Sequence, residues 1–355
     1  MHGFLLRIAK RQEPSPLWRS ALVLCGAVLV ALAFSILLLA LRGISPLEGC
    51  RVLVMGAFGS AWALQDCLLK AIPLFLCSLG VAIAFRLQIW NIGAEGQFAL
   101  GAIGATWAAL TFGAQPKFIL LPMMILAACN AGGLWAMIPA IFRQWLGANE
   151  IIVTLMFNYI AILLLDFLVY GIWRDSSGFP MTPAFSKNAI LGTIGTSGIH
   201  WGLVHCALLG LLCWLFFRST RLGYEIKASG DNVQAARYAG MPYNFLVVLV
   251  MLLSGALAGW AGFLEVSASV HRLQPSIMVG YGFTAIVVAW LARLNPAGIA
   301  LTSFLLAGLR AGVENLQLDL QIPAAFGAIL EGLMLMTVLA GGFFLSYRIV
   351  VRRQT

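Results

Sequence analysis

Asn91-Ile92-Gly93-Ala94-Glu95-Gly96-Gln97 opens a stretch that carries no charged side chain from residue 96 to residue 116. A helix that crosses a bilayer needs ~20 consecutive apolar residues. The run is therefore a membrane-segment candidate with two amides and a carboxylate at its mouth. Polar groups in that position cost free energy unless each has a partner. Gly93, Gly96, Gly101 and Gly104 remove side chains where a second backbone could approach. A polar, glycine-lined helix entrance points to a solute pathway or to a closely packed helix junction. Asn91, Glu95 and Gln97 are accordingly candidates for the path.

Composition sets the class. The 355 residues are 61% apolar and 10% charged, whereas soluble domains carry about 25% charged residues. The expectation is an all-α, polytopic integral membrane protein with no room for a large soluble domain. A net charge of +9 would suggest nucleic acid in a soluble chain. Here the basic residues sit at the ends of apolar segments, so no nucleic-acid partner is expected and the positive-inside rule accounts for them. Residues 1–19 are long and basic, and 20–41 exceeds the apolar core of a cleavable leader, so it reads as a first membrane helix.

Ten membrane helices are expected, at 20–41, 68–86, 95–113, 118–142, 149–173, 200–217, 244–267, 277–292, 296–312 and 325–346. The segment 52–65 is too short to cross and reads as an interfacial or re-entrant piece. Ten spans put both termini on one side. Placing them inside also puts the larger share of Lys and Arg there, including the clusters in 1–19, 218–237 and 348–353. The chain then divides into a cytoplasmic segment 1–19, a transmembrane domain 20–346 and a cytoplasmic tail 347–355. The external loop 174–199, rich in Gly, Ser, Thr and Pro, reads as irregular and solvent-facing. Cys50 and Cys67 share an external loop, where a disulfide is one option.

The internal loop 218–243 carries the second signal. Asp231 can cap a helix start, with Gln234 three residues on as in a capping box. Gly240 supplies a stop and Pro242 prevents continuation. A two-turn helix over 232–239 follows, with Val233, Ala236 and Ala239 on one apolar strip and Gln234 and Arg237 beside it. Two turns are not stable alone in water, so this helix docks either on its own membrane helices or on a cytoplasmic partner.

Asn149 and Glu150 open the fifth helix. Asn149 suits an N-cap and Glu150 the helix dipole; contact with a solute is the competing reading. Asn158, deeper in that helix, could bond a solute or bridge two helices. Asp166, Glu265 and Glu331 are acidic groups in or near apolar helices, each in need of a partner. His200 and His205 lack the i, i+4 spacing of metal ligands and read as structural. No metal site and no nucleophile-and-base constellation stands out, so the chain is not expected to be an enzyme. None of its five lysines follows a glycine, so a phosphate-binding Gly-Lys pair is missing and energy comes from another subunit or an ion gradient.

NIGAEGQ followed by FALGAIGA (91–105), ANEIIVTLMFNYIA (148–161) and LGYEIKASGDNVQAARYAGMP (222–242) resemble the permease subunits of bacterial ABC importers. The likeness is to the branched-chain amino acid/ribose-type superfamily and its nucleoside branch. Sugar permeases of that superfamily usually carry an Ile-Asp-Leu-Ser-type sequence where this chain has NIGAEGQ. The resemblance implies an inner-membrane permease for nucleosides or related small solutes, with sugars such as ribose or galactose as the alternative. It implies a partner ABC ATPase that binds ATP and Mg, a second permease subunit, identical or homologous, and an external substrate-binding lipoprotein. It also makes the loop helix a coupling helix, with Asp231, Val233, Gln234, Ala236, Arg237, Tyr238 and Gly240 as its residues. A proton-coupled carrier using Glu95 or Glu331, and a membrane enzyme acting on lipid, are the readings from other classes.

Overall fold

The computed structural model describes residues 4–10, 45–321 and 347–353 continuously, with scattered positions in 26–43 and 323–341. The expected spans 20–41 and 325–346, and Glu331, lie outside the described residues. Two compact units emerge: Gln65–Gly308, and Met1–Leu64 with Leu309–Thr355. The division falls inside two helices, α2 (Ala61–Arg86) and α11 (Pro296–Leu320).

The smaller unit holds α1 (Pro46–Phe58) and the end of α11. Pro46 sits in the first turn of α1, where its missing N–H costs nothing. At 13 residues α1 is too short to cross a bilayer, as expected for this piece, although it begins earlier than residue 52. Leu53, Val313 and Leu316 form its apolar cluster. The Asn315 amide donates to the Gly56 carbonyl at 3.2 Å. Outside the helices that make up the fold, the same unit holds one short strand pair: β1 (Phe4–Lys10) runs antiparallel to β2 (Tyr347–Arg353), Phe4 opposite Arg353 and Lys10 opposite Tyr347. Ile349, Val350 and Val351 are strong strand formers.

The larger unit is helical. After α2 come α3 (Ala94–Thr111), α4 (Lys117–Leu146), α5 (Glu150–Tyr170), α6 (Gly202–Ser219), α7 (Arg221–Asp231), α8 (Val233–Tyr238), α9 (Tyr243–Leu264) and α10 (Tyr281–Leu291). A π-helical turn, Glu265–Val270, prolongs α9. Six helices among the described residues are long and apolar enough to cross a membrane: α2, α4, α5, α6, α9 with its π turn, and α11.

The core is the triangle of α3, α4 and α9. Its contacts are made by backbone, because glycine and alanine recur at four-residue spacing. Ala128, Gly132 and Ala136 on α4 face Gly255 and Gly259 on α9. A Cβ on Gly259 would lie 2.3 Å from the Ala128 carbonyl oxygen, and one on Gly101 of α3 would lie 2.2 Å from the Gly259 Cα. Small residues permit such approach in a bilayer, where dispersion rather than water exclusion holds helices together. The sequence-level reading of Gly101 and Gly104 as approach points therefore holds: Gly104 meets the backbone of Ala127.

The segment 174–199 is irregular but not free in solvent. Its Thr182 and Leu273 exchange two hydrogen bonds at 3.0 Å. Ser267 Oγ donates to the Ala189 carbonyl at 2.6 Å. Thr182, Phe185, Ala189 and Leu191 are buried. His200 closes this cover; it is buried, and its Nδ1 accepts from the Gly202 N–H. Burial, with the charges of His205 and His271 behind it, pushes the imidazole pKa down to about 4. An unfolded histidine titrates near 6.5, so the unfolded chain binds the extra proton between these values and stability rises with pH across that window. Acidification from pH 6.5 to 4 is expected to cost about 3 kcal/mol at this position. His200→Gln should flatten that part of the pH–stability curve, measured by thermal unfolding of the purified chain in detergent.

Candidate functional site

The 91–97 stretch builds a buried polar junction. Between α2 and α3 the chain dips inward, and α3 starts with Ala94, Glu95, Gly96 and Gln97 all buried. Asn91 and Gln97 pair their side-chain amides in both directions, at 3.0 Å and 2.9 Å. The Asn91 Nδ2 also donates to Ser254 Oγ on α9 at 2.9 Å, while its Oδ1 accepts from the Gly93 N–H. Asn158 on α5 donates to the Ile92 carbonyl and accepts from the Gly96 N–H, both at 2.8 Å. Thr154, one turn before it, accepts from the Ile92 N–H at 3.3 Å. Buried polar groups are held this way because an unmet donor or acceptor costs about 1–3 kcal/mol.

Glu95 does something different. Its two carboxylate oxygens accept from the backbone N–H groups of Gly280, at 2.9 Å, and Gly282, at 2.6 Å. Those donors form the N-terminus of α10, whose own cap residue, Gly280, has no side chain (φ +88°). Glu95 supplies the missing cap from another helix, and its negative charge meets the positive end of the α10 dipole. Gly282 is required there, since a Cβ would come within 2.1 Å of the Glu95 nitrogen. With only 11 residues, α10 is roughly 16 Å long and forms a half-helix that begins inside the protein. Discontinuous helices of this kind line midplane sites in transporters.

Asn91, Glu95, Gln97 and Asn158 thus come together, joined by Thr154, Ser254, Gly280 and Gly282. Asn149 lies apart. It is exposed and caps α5, its Oδ1 accepting from the Ile151 N–H at 2.9 Å. Glu150 beside it is ion-paired to Arg143 at the end of α4. Cys50 and Cys67 are not disulfide-bonded. No cluster of metal-ligating side chains occurs among the described residues.

The loop helix forms one residue later than expected. Asp231 is the last residue of α7, a helix that occupies part of the expected loop 218–243. The cap of α8 is Asn232, extended at φ −154°, with its Oδ1 accepting from the Ala235 N–H at 3.0 Å. Gly240 takes φ +76° as the stop. Ala236 is buried and Val233 half-buried, both against this chain, whereas Ala239 is exposed. The opposite face presents Gln234, Arg237 and Tyr238. Tyr238 is 98% exposed, an unusual state for an aromatic. The Arg237 guanidinium lies 5.1 Å from the centre of the Tyr243 ring.

Comparison with known proteins gives these features a family. The model for the permease component of the branched-chain amino acid transport system matches residues 63–339. The glucose ABC transporter permease protein TsgB13 of Haloferax volcanii is 34% identical, over 91% of this chain and 88% of its own length. The guanosine ABC transporter permease protein NupP of Bacillus subtilis is 31% identical, over 88% and 91%. The nucleoside ABC transporter permease protein NupB of Lactococcus lactis is 30% identical, over 82% and 84%. With its crossing helices, its glycine-packed core and matches that run through the polar junction and the loop helices, this chain belongs to the permease components of the branched-chain amino acid transport system family.

Proposed function

We propose that this permease is the translocating subunit of an ATP-driven importer for nucleosides, working in the inner membrane with both termini in the cytoplasm. The observation that carries the substrate class is the capped half-helix. A carboxylate-bearing solute would be drawn to the free N-terminus of a discontinuous helix. Here Glu95 already occupies that position on α10. The other buried polar groups of the junction are amides and hydroxyls, and no Lys or Arg is among the buried residues described. With no cationic side chain among these buried residues to hold a carboxylate, a neutral solute fits better than an amino acid. Two relatives named for guanosine and nucleosides favour a nucleoside. The relative named for glucose keeps a sugar as the second reading.

On this reading ATP and Mg bind a separate ATPase, a second permease completes the path and an external lipoprotein delivers the solute. The antiparallel pairing of β1 with β2 supports an even number of spans, because it joins the two chain ends. Asn91, Gln97 and Asn158 set the helix junction beside the path rather than grasping the solute, since their hydrogen bonds are spent within the protein.

Uptake of labelled guanosine into native membrane vesicles carrying the complex tests the assignment. Uptake should require ATP, survive a protonophore and fall with excess unlabelled nucleoside. Strong competition by glucose would transfer the assignment to sugars, and competition by leucine would overturn the neutral-solute argument. The coupling role of α8 gives a separate expectation. Tyr238→Ala should leave thermal stability unchanged, because the side chain touches so little of its own chain. It should reduce both ATP-driven uptake and co-purification of the ATPase about tenfold, as truncating a central aromatic does in an interface. Equal co-purification in variant and wild type would remove Tyr238 from the contact.

A further inference from the structure

A cavity of about 300 Å³ is lined by Phe85, Gln88, Trp90, Trp290, Arg293 and Leu294, with Trp90 directly preceding Asn91 of the polar junction. Its walls are aromatic. Trp90 and Trp290 stack with centroids 5.6 Å apart and planes 26° apart, and Phe85 meets Trp90 at 5.1 Å and Trp290 at 6.2 Å. Phe85 is buried, but the two indoles are 38% and 48% exposed, so their outer faces are reachable. Its volume falls at the lower end of small-molecule sites.

The backbone around it is under constraint. Among the described residues five non-glycine residues have positive φ, and Gln88, Arg293 and Leu294 are three of them. Gln88 and Arg293 are the left-handed stops of α2 and α10: the Ile89 N–H returns to the Ala84 carbonyl and the Leu294 N–H to the Ala289 carbonyl, the hydrogen bonds of a Schellman termination. Gln88 and Arg293 line the cavity beside the aromatic side chains. The cavity also adjoins the loop helices. Arg86 donates to the Leu294 carbonyl at 2.7 Å, and a Cβ on Gly230 of α7 would lie 2.0 Å from the Arg86 carbonyl oxygen.

We propose that this cavity is a product-side binding site for the planar base of the imported solute, on the same side of the chain as α7 and α8. The inference rests on the nucleoside reading and extends it to a second station. The indole faces receive the ring by stacking, which tolerates any base. The Gln88 amide meets polar groups on the ring edge, and Arg293 meets a carbonyl oxygen. A sugar without a base offers this wall only the C–H face of its ring and no planar π system to stack.

The test uses the purified full chain in detergent with guanosine as the probe, read by quenching of tryptophan fluorescence and by equilibrium dialysis. Saturable guanosine binding without response to glucose is expected. Trp90→Ala and Trp290→Ala should each weaken binding about fivefold or more, while Trp107→Ala, an exposed indole elsewhere, should leave it unchanged. Absence of saturable binding, or equal binding in all three variants, overturns the site. Quenching by phosphatidylglycerol vesicles but not by guanosine also overturns it and makes the indoles a membrane-interface contact. Binding here without nucleoside competition in uptake would overturn both the substrate assignment and the product-side role, whereas competition in uptake without binding would overturn this site alone.

Discussion

Glu95→Ala is expected to abolish uptake and to destabilise the chain by about 3–6 kcal/mol, which exceeds half the stability of many domains. The carboxylate holds two backbone donors, Gly280 and Gly282, and hydrogen bonds to charged groups contribute about 1.5–3 kcal/mol each. Its charge on the α10 dipole adds about 0.3–1 kcal/mol. Alanine leaves both N–H groups buried with no acceptor. Glu95→Gln is the informative partner variant. It keeps the shape, but one of its two termini becomes an NH2 that faces a donor, so about half the loss should remain. The measurements are thermal unfolding in detergent and uptake per folded molecule. A cap role predicts that stability and uptake fall in the order wild type, Gln, Ala, with ATP dependence retained throughout. A proton-coupling role predicts instead that Glu95→Gln folds normally and loses only the dependence of uptake on the proton gradient.

Much of this molecule was legible because apolar run length is a one-dimensional property. The limits of α4 and the starts of α5 and α11 follow from where Lys117, Arg143, Glu150 and Pro296 interrupt it, and of the two readings open for Asn149, cap or solute contact, the cap is the one its hydrogen bond to Ile151 shows. The pairing of Glu95 with Gly280 was not legible, because it joins residues 185 positions apart and the Gly280-Tyr281-Gly282 sequence reads locally as a turn. The indole pair Trp90–Trp290 was hidden for the same reason. Helix α7 was missed because Gly223, Ser229 and Gly230 suggest a loop. In the fold Gly223 and Gly230 lie where a Cβ would strike the backbone of Phe216 and Arg86, so those glycines serve packing rather than flexibility. The shift of the α8 cap from Asp231 to Asn232 turns on which residue leaves the helical region. Asn232 does, and Asp231 stays within α7.

Gly101→Val should have an effect of similar size by a different route. The Gly101 position sits on the Gly259 backbone, with Cα, carbonyl carbon and carbonyl oxygen all within 2.6 Å of any added Cβ. Carbon atoms pack at about 3.5–4.0 Å, so α3 and α9 would have to separate by more than 1 Å. Neither helix can give way alone, because α9 is locked to α4 through Gly255, Gly259 and Gly132. Separation therefore opens all three contacts and strips their dispersion energy along the whole triangle. Overpacking in a dense core costs about 1–3 kcal/mol where neighbours can adjust; here the obstacle is backbone, so the upper end or more is expected. Gly101→Ala should reduce the folded yield about tenfold and Gly101→Val should nearly eliminate it, as read by the monodisperse fraction in detergent size-exclusion chromatography. Gly147 or Gly240 changed to Ala, where no described residue lies within 4 Å of the added Cβ, should cost only the strain of their positive φ. A compensating Ala128→Gly, which deletes a Cβ from the α4 face that meets α9, should recover part of the Gly101→Ala loss if the triangle moves as one body. If Gly101→Ala folds as well as the wild type, the close approach of α3 to α9 is wrong, and with it the argument that backbone contact holds the core together.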